Sequence, residues 1–542
     1  MLLKNLLEPI PTKKITYKKS HGYEYVYYTT RAYRNKYGKP TSDEVAIGRK
    51  DTVTGQLIPN ERFYELFPER KQIPTQSTAS SPTTPQVKEL TIDQIKISGV
   101  PATLLEVANK TKLLEVLQRC FPDKWKYMLT IAFYLLDHSS SMMYIDDWTE
   151  DIELNLVDFI DGFMCSKIFS SITHEERQYF FREWIKCRGE QEYIAYDVTS
   201  ISTYSKNIED AEWCYNRDND KLQQVNYGMF YGITTKMPVY YNMYSGSIPD
   251  KSCLEYMLIN VKNIGVEKFC LVIDRGFPTN DNISFMFEND IPFISAMPMS
   301  RNDAKALIND NFGKTERMEN WISEYQVYGA RRSFTVGCHT IQAHIYFDNV
   351  LKTKETNEHH AYIEKLREEL KEISKQKKMP KRYDDNFIIT ELSKNEFTFE
   401  LDLETGNRKL ERMGYFILLS SDPDINSYDI LKTYRDKDTV EKHFDQLKNG
   451  LEFKRLKTHN QKTTEGKIFI GFLALILRSY ILQTVKRHKD TKHFTFEKIM
   501  TELRKIKSVF TSNCKKIVIP LTSTQKNIMF RLGITEDMIK LL

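Results

Sequence analysis

The sequence lacks paired cysteines and long apolar runs. Its 8 cysteines are scattered with no Cys-x-x-Cys pair, which argues against a structural zinc site and indicates a reducing compartment. The longest uncharged apolar run, residues 468–477, is too short to cross a bilayer of about 30 Å, so we expect a buried helix there. Residues 1–14 contain no apolar stretch long enough for a signal peptide. These absences favour the cytoplasm as the expected location.

A strong overall charge is also missing. The 78 Lys and Arg residues nearly balance the 73 Asp and Glu residues, and the net charge of +5 excludes a protein that is basic throughout. The positive charge is local, because Lys and Arg outnumber Asp and Glu by 21 to 9 between Lys432 and Lys516. A local basic surface on a folded domain is typical of nucleic-acid binding, although a solvated lysine-rich surface gives the same pattern.

The 542 residues, 41% of them hydrophobic, predict a globular protein of about three to four domains. Shifts in composition and periodicity divide the chain into seven segments. In order, these are a small β-rich module (1–75), a Ser/Thr/Pro-rich linker (76–90), a helical domain that either binds DNA or supports packing (91–190), the first part of an α/β core (191–299), a β-rich insertion with a charged helix (300–412), the second part of the core (413–485) and a basic helical region (486–542).

The predicted elements of the α/β core follow a specific order. From Tyr193 onward we expect three consecutive strands, then a helix, a strand, a second helix and a further strand. This order predicts an antiparallel meander followed by parallel β-α-β units. It is the order of an RNase H-like core, although many α/β domains begin in a similar way.

Two aspartates stand out in the predicted strands. Asp197 lies within the apolar stretch 193–203, where a buried carboxylate is costly unless it is paired or bound to a cation. Asp274 directly follows the apolar strand ending at Ile273, at the carboxyl end where α/β sheets bind ligands. Each also has an ordinary interpretation: Asp197 as a carboxylate bonded at a sheet edge, and Asp274 as a strand-ending residue in a turn.

A third acidic residue lies in a predicted helix over 428–449. At about 100° per residue, Tyr434, Lys437, Glu441 and Lys448 share an arc about 60° wide. The glutamate is therefore flanked by two lysines at the margin of the apolar face. A salt-bridged surface helix gives the same pattern. With the two aspartates, however, Glu441 completes a set of three carboxylates that can hold two divalent cations, Mg²⁺ or Mn²⁺, about 3.5–4 Å apart.

The spacing of these residues resembles that of a known family. Tyr434, Lys437, Glu441 and Lys448 follow the pattern Tyr, two residues, Arg, three residues, Glu, six residues, Lys, which marks one branch of the DDE transposases of bacterial insertion sequences. Asp197 and Asp274 match the first two acidic residues of that family. The family's Arg is Lys437 here, and a lysine cannot form the bidentate clamp of a guanidinium.

The resemblance implies an RNase H-like catalytic domain with a β-rich insertion before the glutamate. It also implies cut-and-paste chemistry, in which two metal ions promote cleavage at the ends of the element and attack of the freed 3′-hydroxyls on target DNA. The expected partners are double-stranded DNA and a second copy of the chain, bound together on paired ends. The expected location is the bacterial cytoplasm, at the nucleoid, with no membrane association. The alternatives are an RNase H-like nuclease without strand transfer and a domesticated, non-catalytic DNA-binding protein.

The implied site residues fall into two groups. The catalytic and metal-binding set is Asp197, Asp274 and Glu441. In related enzymes an aromatic residue of the insertion stacks on a flipped base, and Trp321 is the candidate here, although a core aromatic is the ordinary interpretation. The expected DNA contacts are Tyr434, Lys437, Lys448, Arg275, Trp321, Lys454, Arg455 and Lys457.

Overall fold

The computed structural model describes residues 7–20, 23–34, 40–51, 54–70, 92–138, 141–188, 192–214, 221–263, 269–380, 383–394, 396–437, 444–512 and 515–542. The chain divides into two compact units, Met1–Glu89 and Leu90–Leu542.

The first unit is a small antiparallel sheet with one helix. Its strands are rich in tyrosine and β-branched residues, which suit a half-buried pleated surface, and they pair in sequence order. The small core consists of Val26, Ile47, Leu57 and Phe63. The elements are β1 (Ile15–Ser20), β2 (Tyr23–Arg34), β3 (Pro40–Lys50), β4 (Leu57–Pro59) and α1 (Glu61–Leu66).

The second unit begins with a strand and six helices. The helices follow from apolar periodicity: in the third helix of the chain Leu113, Val116, Leu117 and Cys120 are buried. The initial strand lies within 91–190, where the sequence predicts only helices. Its pairing partner lies near the C-terminus, so no neighbouring segment indicates it. The elements are β5 (Ile92–Ile97), α2 (Gly99–Lys110), α3 (Leu113–Cys120), α4 (Trp125–Asp137), α5 (Ile145–Asp151), α6 (Gly162–Ser171) and α7 (His174–Arg188).

The next segment forms the centre of a ten-stranded mixed sheet. Its elements are β6 (Glu192–Thr203), β7 (Gln223–Gly232), β8 (Met237–Ser245), α8 (Asp250–Asn263), β9 (Phe269–Ile273), α9 (Asn280–Glu288) and β10 (Phe293–Ala296). The first three strands form an antiparallel meander, and β9 and β10 add in parallel on the other side of β6. The spatial order is therefore β8-β7-β6-β9-β10, with the directions that the sequence pattern predicts.

The predicted insertion over 300–412 is only partly separate from this sheet. A hairpin within it extends the central sheet through backbone hydrogen bonds. A long helix and a second hairpin form their own small core around Leu366, Leu370 and Phe397. A short helix capped by Asp402 follows the second hairpin. The elements are α10 (Asn302–Asn311), β11 (Trp321–Ile322), β12 (Val327–Val336), β13 (His339–Phe347), α11 (Asn349–Lys375), β14 (Phe387–Ser393), β15 (Glu396–Leu401) and α12 (Leu403–Glu411).

The chain then returns to the central sheet. Strand β16 (Tyr415–Ser420) lies between β13 and β10 and is antiparallel to both. Helix α13 (Ser427–Asp436) follows and ends well before residue 449, where the predicted helix ends. After residues 438–443, which lie outside the described part of the chain, come a π-helical turn (Gln446–Gly450) and strand β17 (Arg455–Leu456).

Helix α14 (Gln461–Lys486) is the long central helix of the second unit. It contains the run 468–477 for which the sequence predicts a buried helix, but it is much longer than that run. By length and composition alone it could cross a membrane, with a mean hydropathy of 1.9 over its most apolar window. Within the protein, 78% of that window is buried. A helix that is apolar all round is typical of the core of a large protein as well as of a membrane.

The sequence pattern predicts a helical region over 486–542, but the C-terminal segment also contains strands. Strand β18 (Lys507–Thr511) pairs with β5, which lies about four hundred positions earlier in the chain, and forms a three-stranded sheet with β5 and β19 (Lys516–Val518). Short strands with distant partners leave only weak local patterns. The elements are α15 (Phe496–Arg504), β18 (Lys507–Thr511), β19 (Lys516–Val518), α16 (Ser523–Leu532) and α17 (Glu536–Lys540).

Candidate active site

The two predicted aspartates lie side by side on neighbouring parallel strands. The last paired residues of β6 and β9 are Tyr196 and Ile273, and the next residues on the two strands are Asp197 and Asp274. At the usual spacing of about 4.8 Å between strands, the register places the two backbones close together. The aspartates therefore share one level of the sheet, where β9 ends and a ligand can reach the strand edge.

Just beyond β9, this edge of β6 has no strand partner among the described residues. β7 covers the opposite edge of β6, so β9 and β17 both pair along the same remaining edge. The pairing with β9 ends at Tyr196, and the pairing with β17 begins at Ser202. Among the described residues, no strand pairs with positions 197–201 of that edge. This opening in the strand pairing begins at the level of the two aspartates, and the residues along it are buried.

The two carboxylates share one local geometry and differ in exposure. In each, Oδ1 accepts a 2.8 Å hydrogen bond from the N–H of the following residue, Val198 or Arg275. Asp197 is 7% exposed, whereas 39% of the Asp274 side chain is exposed. The Asp197 carboxylate is therefore buried within the sheet, and the Asp274 carboxylate is partly exposed at its edge.

Two residues of the predicted motif contact Asp274. The Tyr434 hydroxyl donates a 2.8 Å hydrogen bond to Oδ1 of Asp274, and the Lys437 ammonium lies 3.9 Å from the same oxygen. Burial by itself raises the pKa of the Asp274 carboxyl, but Lys437, the Arg275 N–H and Tyr434 outweigh burial and hold the pKa below its usual value. Asp274 is therefore kept in its charged form.

Helix α13 brings both residues to the carboxylate. Its first turn is fixed by Asn426, whose side chain accepts from two backbone N–H groups, and by a 3.0 Å contact between Ser427 Oγ and His344 Nδ1. Lys437 directly follows the helix, is 2% exposed, and its ammonium lies 5.5 Å from the Tyr434 ring centroid. The two residues thus reach Asp274 from the same end of α13.

Glu441, the third predicted acid, lies outside the described residues. The described residues on either side of it lie against the end of β9 and against β7. Lys437 pairs with Asp274, and the Phe444 ring lies 6.3 Å from that of Tyr227, which is paired with Thr199 of β6. The role of Glu441 rests on the sequence motif.

The predicted basic residues after the motif line the start of β17. Lys454, Arg455 and Lys457 are all exposed. The Arg455 guanidinium lies 5.2 Å from the Tyr204 ring centroid and donates a hydrogen bond to its hydroxyl. Lys457 pairs with exposed Glu452 at 3.4 Å. These cations therefore stand beside the far end of the opening on β6.

The remaining predicted contacts occupy three different positions. Lys448 lies in the π-helical turn, and its carbonyl accepts a 2.9 Å hydrogen bond from the N–H of Lys454. Arg275 is exposed next to Asp274. Trp321 lies on β11, five strand positions from β9, which corresponds to about 24 Å at the usual strand spacing. The sheet does not bring Trp321 to the aspartates.

Trp321 is nevertheless not a core residue. It is 38% exposed, and its ring centroid lies 4.9 Å from that of Tyr328. The neighbouring Tyr325 ring lies 4.7 Å from the Arg435 guanidinium of α13, the helix that also carries Tyr434. Two successive residues of α13 therefore make different contacts: Tyr434 contacts Asp274, and Arg435 contacts Tyr325 in the turn between β11 and β12.

The donor atoms suit a hard divalent cation. Asp197 and Asp274 offer carboxylate oxygens, the ligands that Mg²⁺ and Mn²⁺ prefer, and the Lys437 ammonium shows that Asp274 already attracts a cation. Within the described part of the chain, no three His, Cys, Asp or Glu residues are grouped closely enough to hold a metal ion. The two aspartates fit such a site in chemistry, and the predicted third ligand is Glu441.

Sequence reasoning missed several residues around this site. Tyr204, which supports Arg455, and His344, which contacts the first turn of α13, are far from the motif in sequence. Lys467 is 4% exposed and lies early in α14, directly before the apolar run 468–477. A cation at the start of a strongly apolar run was a readable signal for Lys467, whereas Tyr204 and His344 carried none.

Comparison with known proteins supports one family. Residues 188–477, more than half of the chain, match the family described as "Transposase DDE domain". The solved structures that resemble the chain include a cryo-EM structure of the piggyBac transposase synaptic complex with hairpin DNA, at 12% identity and a TM-score of 0.34, covering 74% of this chain and 70% of that chain. No curated protein matches. The family match spans both aspartates and the whole motif, and on this match the chain belongs to the DDE transposases.

Proposed function

We propose that this DDE transposase cuts the ends of an insertion sequence and joins the freed 3′-hydroxyls to target DNA by a cut-and-paste route. The observation that carries the proposal is the register of Asp197 and Asp274, side by side at the end of β9 within the family-matched range. The order β8-β7-β6-β9-β10, with its meander and parallel additions, supports an RNase H-like core.

Asp197, Asp274 and Glu441 would hold two Mg²⁺ or Mn²⁺ ions. When bound, the ions supply an activated water or hydroxyl and stabilise the leaving oxygen. The protein's own contribution is positioning: Tyr434 donates a hydrogen bond to Oδ1 of Asp274, and the Lys437 charge lowers the pKa of that carboxyl. Asp274, whose side chain is 39% exposed, is the carboxylate that a DNA strand would reach first, and Asp197 lies beside it at 7% exposure.

DNA contact is proposed along the same edge. Arg275 lies exposed at one end of the opening, and Lys454, Arg455 and Lys457 lie exposed at the other. Cations at both ends would neutralise phosphates of a strand laid across the opening, together with Lys437 and Lys448 of the motif. Trp321, at the far edge of the sheet, would contact a more distant part of the DNA.

The proposed assembly is a homodimer on two paired transposon ends, and the proposed location is the bacterial cytoplasm, in association with the nucleoid. Double-stranded DNA is the substrate both as the transposon end and as the target. The element ends are expected as inverted repeats beside the coding region.

The test uses labelled DNA from the flanking repeats, a target plasmid and Mg²⁺. Joined products support the proposal, whereas cleavage without joining indicates a nuclease and binding without cleavage indicates a non-catalytic DNA-binding protein. We expect Asp197→Asn, Asp274→Asn and Glu441→Gln each to abolish cleavage while end binding persists. Asp281→Asn is the matched control, because Asp281 is exposed on α9 seven residues after Asp274. Cleavage by any of the three variants would remove that residue from the catalytic set.

A further inference from the structure

Two buried cations lie on one side of the apolar helix α14. Lys467 is 4% exposed and Arg478 is 5% exposed, although most of the helix between them is aliphatic or aromatic. At about 100° per residue, Lys467, Gly471 and Arg478 fall within an arc of about 40°. A buried charge is costly to desolvate, and its retention is best explained by a contact that this side chain alone can make.

This side of α14 contacts residues 444–457, which follow the motif and which we call the post-motif segment. The Lys467 ammonium lies 5.7 Å from the centroid of the Phe453 ring. A Cβ added at Gly471 would lie 2.7 Å from Cζ of the same ring, so the ring packs directly against the glycine. The post-motif segment is therefore held on α14 at Phe453.

Arg478 makes a second contact with this segment, at Gly450. A Cβ added at Gly450 would lie 3.0 Å from Nη2 and 3.1 Å from Cζ of Arg478, so the guanidinium lies against the glycine. Its Cζ also lies 3.9 Å from the Phe496 ring centroid, and its Nη2 donates a 3.0 Å hydrogen bond to Glu497. Two residues of α15 thus fix the guanidinium where it meets Gly450.

Gly450 is the last residue of the π-helical turn (Gln446–Gly450), which contains Lys448. Turns of this kind are rare in proteins and are found frequently at functional sites. The turn begins five residues after Glu441 in the sequence. A shift of the turn would therefore move Lys448 directly and would displace the chain that leads back to Glu441.

We propose that Arg478 is a positioning residue for strand cleavage: by holding the π-helical turn at Gly450, it keeps Lys448 and Glu441 at the site. The inference rests on the proposed function and adds a residue outside the motif that is too buried to contact DNA. A lysine at position 478 would keep the charge, but it cannot form the flat contact that a guanidinium makes with a ring and a backbone. The shape of the side chain, and not its charge alone, therefore decides its effect.

The first test compares Arg478→Lys with Ile476→Val in cleavage of labelled end DNA by the full-length protein. We expect Arg478→Lys to lower kcat about tenfold, because small misplacements of reacting groups are costly. KM for the DNA should stay within about twofold, since phosphate contacts elsewhere supply most of the affinity. Ile476 is buried on the opposite side of α14, and its loss of a methylene lowers stability alone, so its kcat should equal that of the wild type. An unchanged kcat in Arg478→Lys, or an equal fall in both variants, would overturn the proposal.

The second test changes the other side of the contact and does not depend on the folding of Arg478→Lys. Gly450 is exposed, so Gly450→Ala leaves the core intact while its methyl group displaces the guanidinium. We expect the same fall in kcat. The double variant should lose no more than either single variant, because both changes act on one contact. Effects that multiply in the double variant would overturn the proposal, since the two positions would then act independently.

The third test measures the post-motif segment without DNA or metal. Hydrogen exchange with mass spectrometry is expected to be about tenfold faster in peptides covering 444–457 of Arg478→Lys, and unchanged in peptides covering β6 and β9. Exchange equal to that of the wild type over 444–457 would overturn the proposal. A wild-type protein that does not cleave DNA would refute the proposed function instead, and the exchange measurement would still decide whether Arg478 fixes this segment.

Discussion

Tyr434 donates a 2.8 Å hydrogen bond to Oδ1 of Asp274 and thereby ties the end of helix α13 to the end of strand β9. The two residues are 160 positions apart in the chain. The bond, together with the Lys437 ammonium at 3.9 Å, makes Asp274 one of the points where the two halves of the core meet. Four predictions follow from this site and from the packing behind it.

Tyr434→Phe removes the hydroxyl and leaves the ring. Because the lost bond is to an ionised and partly buried carboxylate, we expect the free energy of unfolding to fall by about 1.5 kcal/mol. Urea unfolding, monitored by circular dichroism, measures the change. Tyr428→Phe on the same helix is the control, since its hydroxyl bonds to Glu324 at the surface and its loss should leave the midpoint unchanged. Equal midpoints for wild type and Tyr434→Phe would contradict the prediction.

Lys437→Met is expected to tighten Mn²⁺ binding in the absence of DNA. The ammonium reduces the negative charge of the site, and its removal favours a divalent ion by about tenfold at the dielectric of a partly exposed site. Electron paramagnetic resonance of free Mn²⁺ measures the affinity. Lys437→Arg keeps the charge and Lys432→Met removes a charge from an exposed position on the same helix, so neither should tighten binding. Weaker Mn²⁺ binding by Lys437→Met would show that the lysine supports the metal site instead.

His344 should make the stability of the protein depend on pH. Burial, followed by the nearby Arg331 charge, lowers the pKa of His344 from 6.5 to about 4. The folded protein therefore keeps the imidazole neutral while the unfolded chain takes up a proton. The free energy of unfolding falls as pH decreases from about 6.5 to 4, by up to about 1.4 kcal/mol per pH unit.

Urea unfolding at a series of pH values measures this slope. His344→Gln is expected to lower the slope of the unfolding free energy against pH by the contribution of one titrating imidazole. Ser427→Ala, which deletes the partner of Nδ1 but keeps the imidazole, should retain the slope. A slope that is the same in His344→Gln and in the wild type would assign the pH dependence to other groups.

Gly466→Ala tests the packing of α14 on α6. An added Cβ would lie 2.0 Å from the carbonyl oxygen of Phe169, a backbone atom that cannot move aside easily. We expect destabilisation of about 3 kcal/mol, seen as a lower urea midpoint. Gly406→Ala is the control within helix α12, where a Cβ meets no atom within 4 Å and should stabilise by about 0.5–1 kcal/mol. A neutral Gly466→Ala would mean that the two helices separate at little cost.

Local patterns were sufficient for the centre of the fold. The apolar strands around Asp197 and before Asp274, and the helix between them, predicted the meander and its parallel additions, because strand and helix periods are properties of short segments. The same reasoning placed Tyr434 and Lys437 on one side of a helix, and the structure brings both to Asp274.

Pairing between distant segments was not readable in this way. The insertion was expected to stand apart, but β13 hydrogen-bonds to β16 and joins the central sheet. The C-terminal region was expected to be helical, but β18 pairs with β5. Each strand follows the local preference for extended backbone, whereas the choice of partner depends on burial and hydrogen bonding across the whole domain.

The sequence alone therefore determined which residues are the candidates for the chemistry, since carboxylates within apolar strands and a spaced Tyr, Lys, Glu, Lys motif are unusual wherever they occur. Only the tertiary structure decided that the cation next to Asp274 is Lys437, that Trp321 lies five strands away, and that Lys467 faces a cavity. The physical reason is that composition and period act within a few residues, whereas charge pairing and cavities arise between segments that meet only in the folded chain.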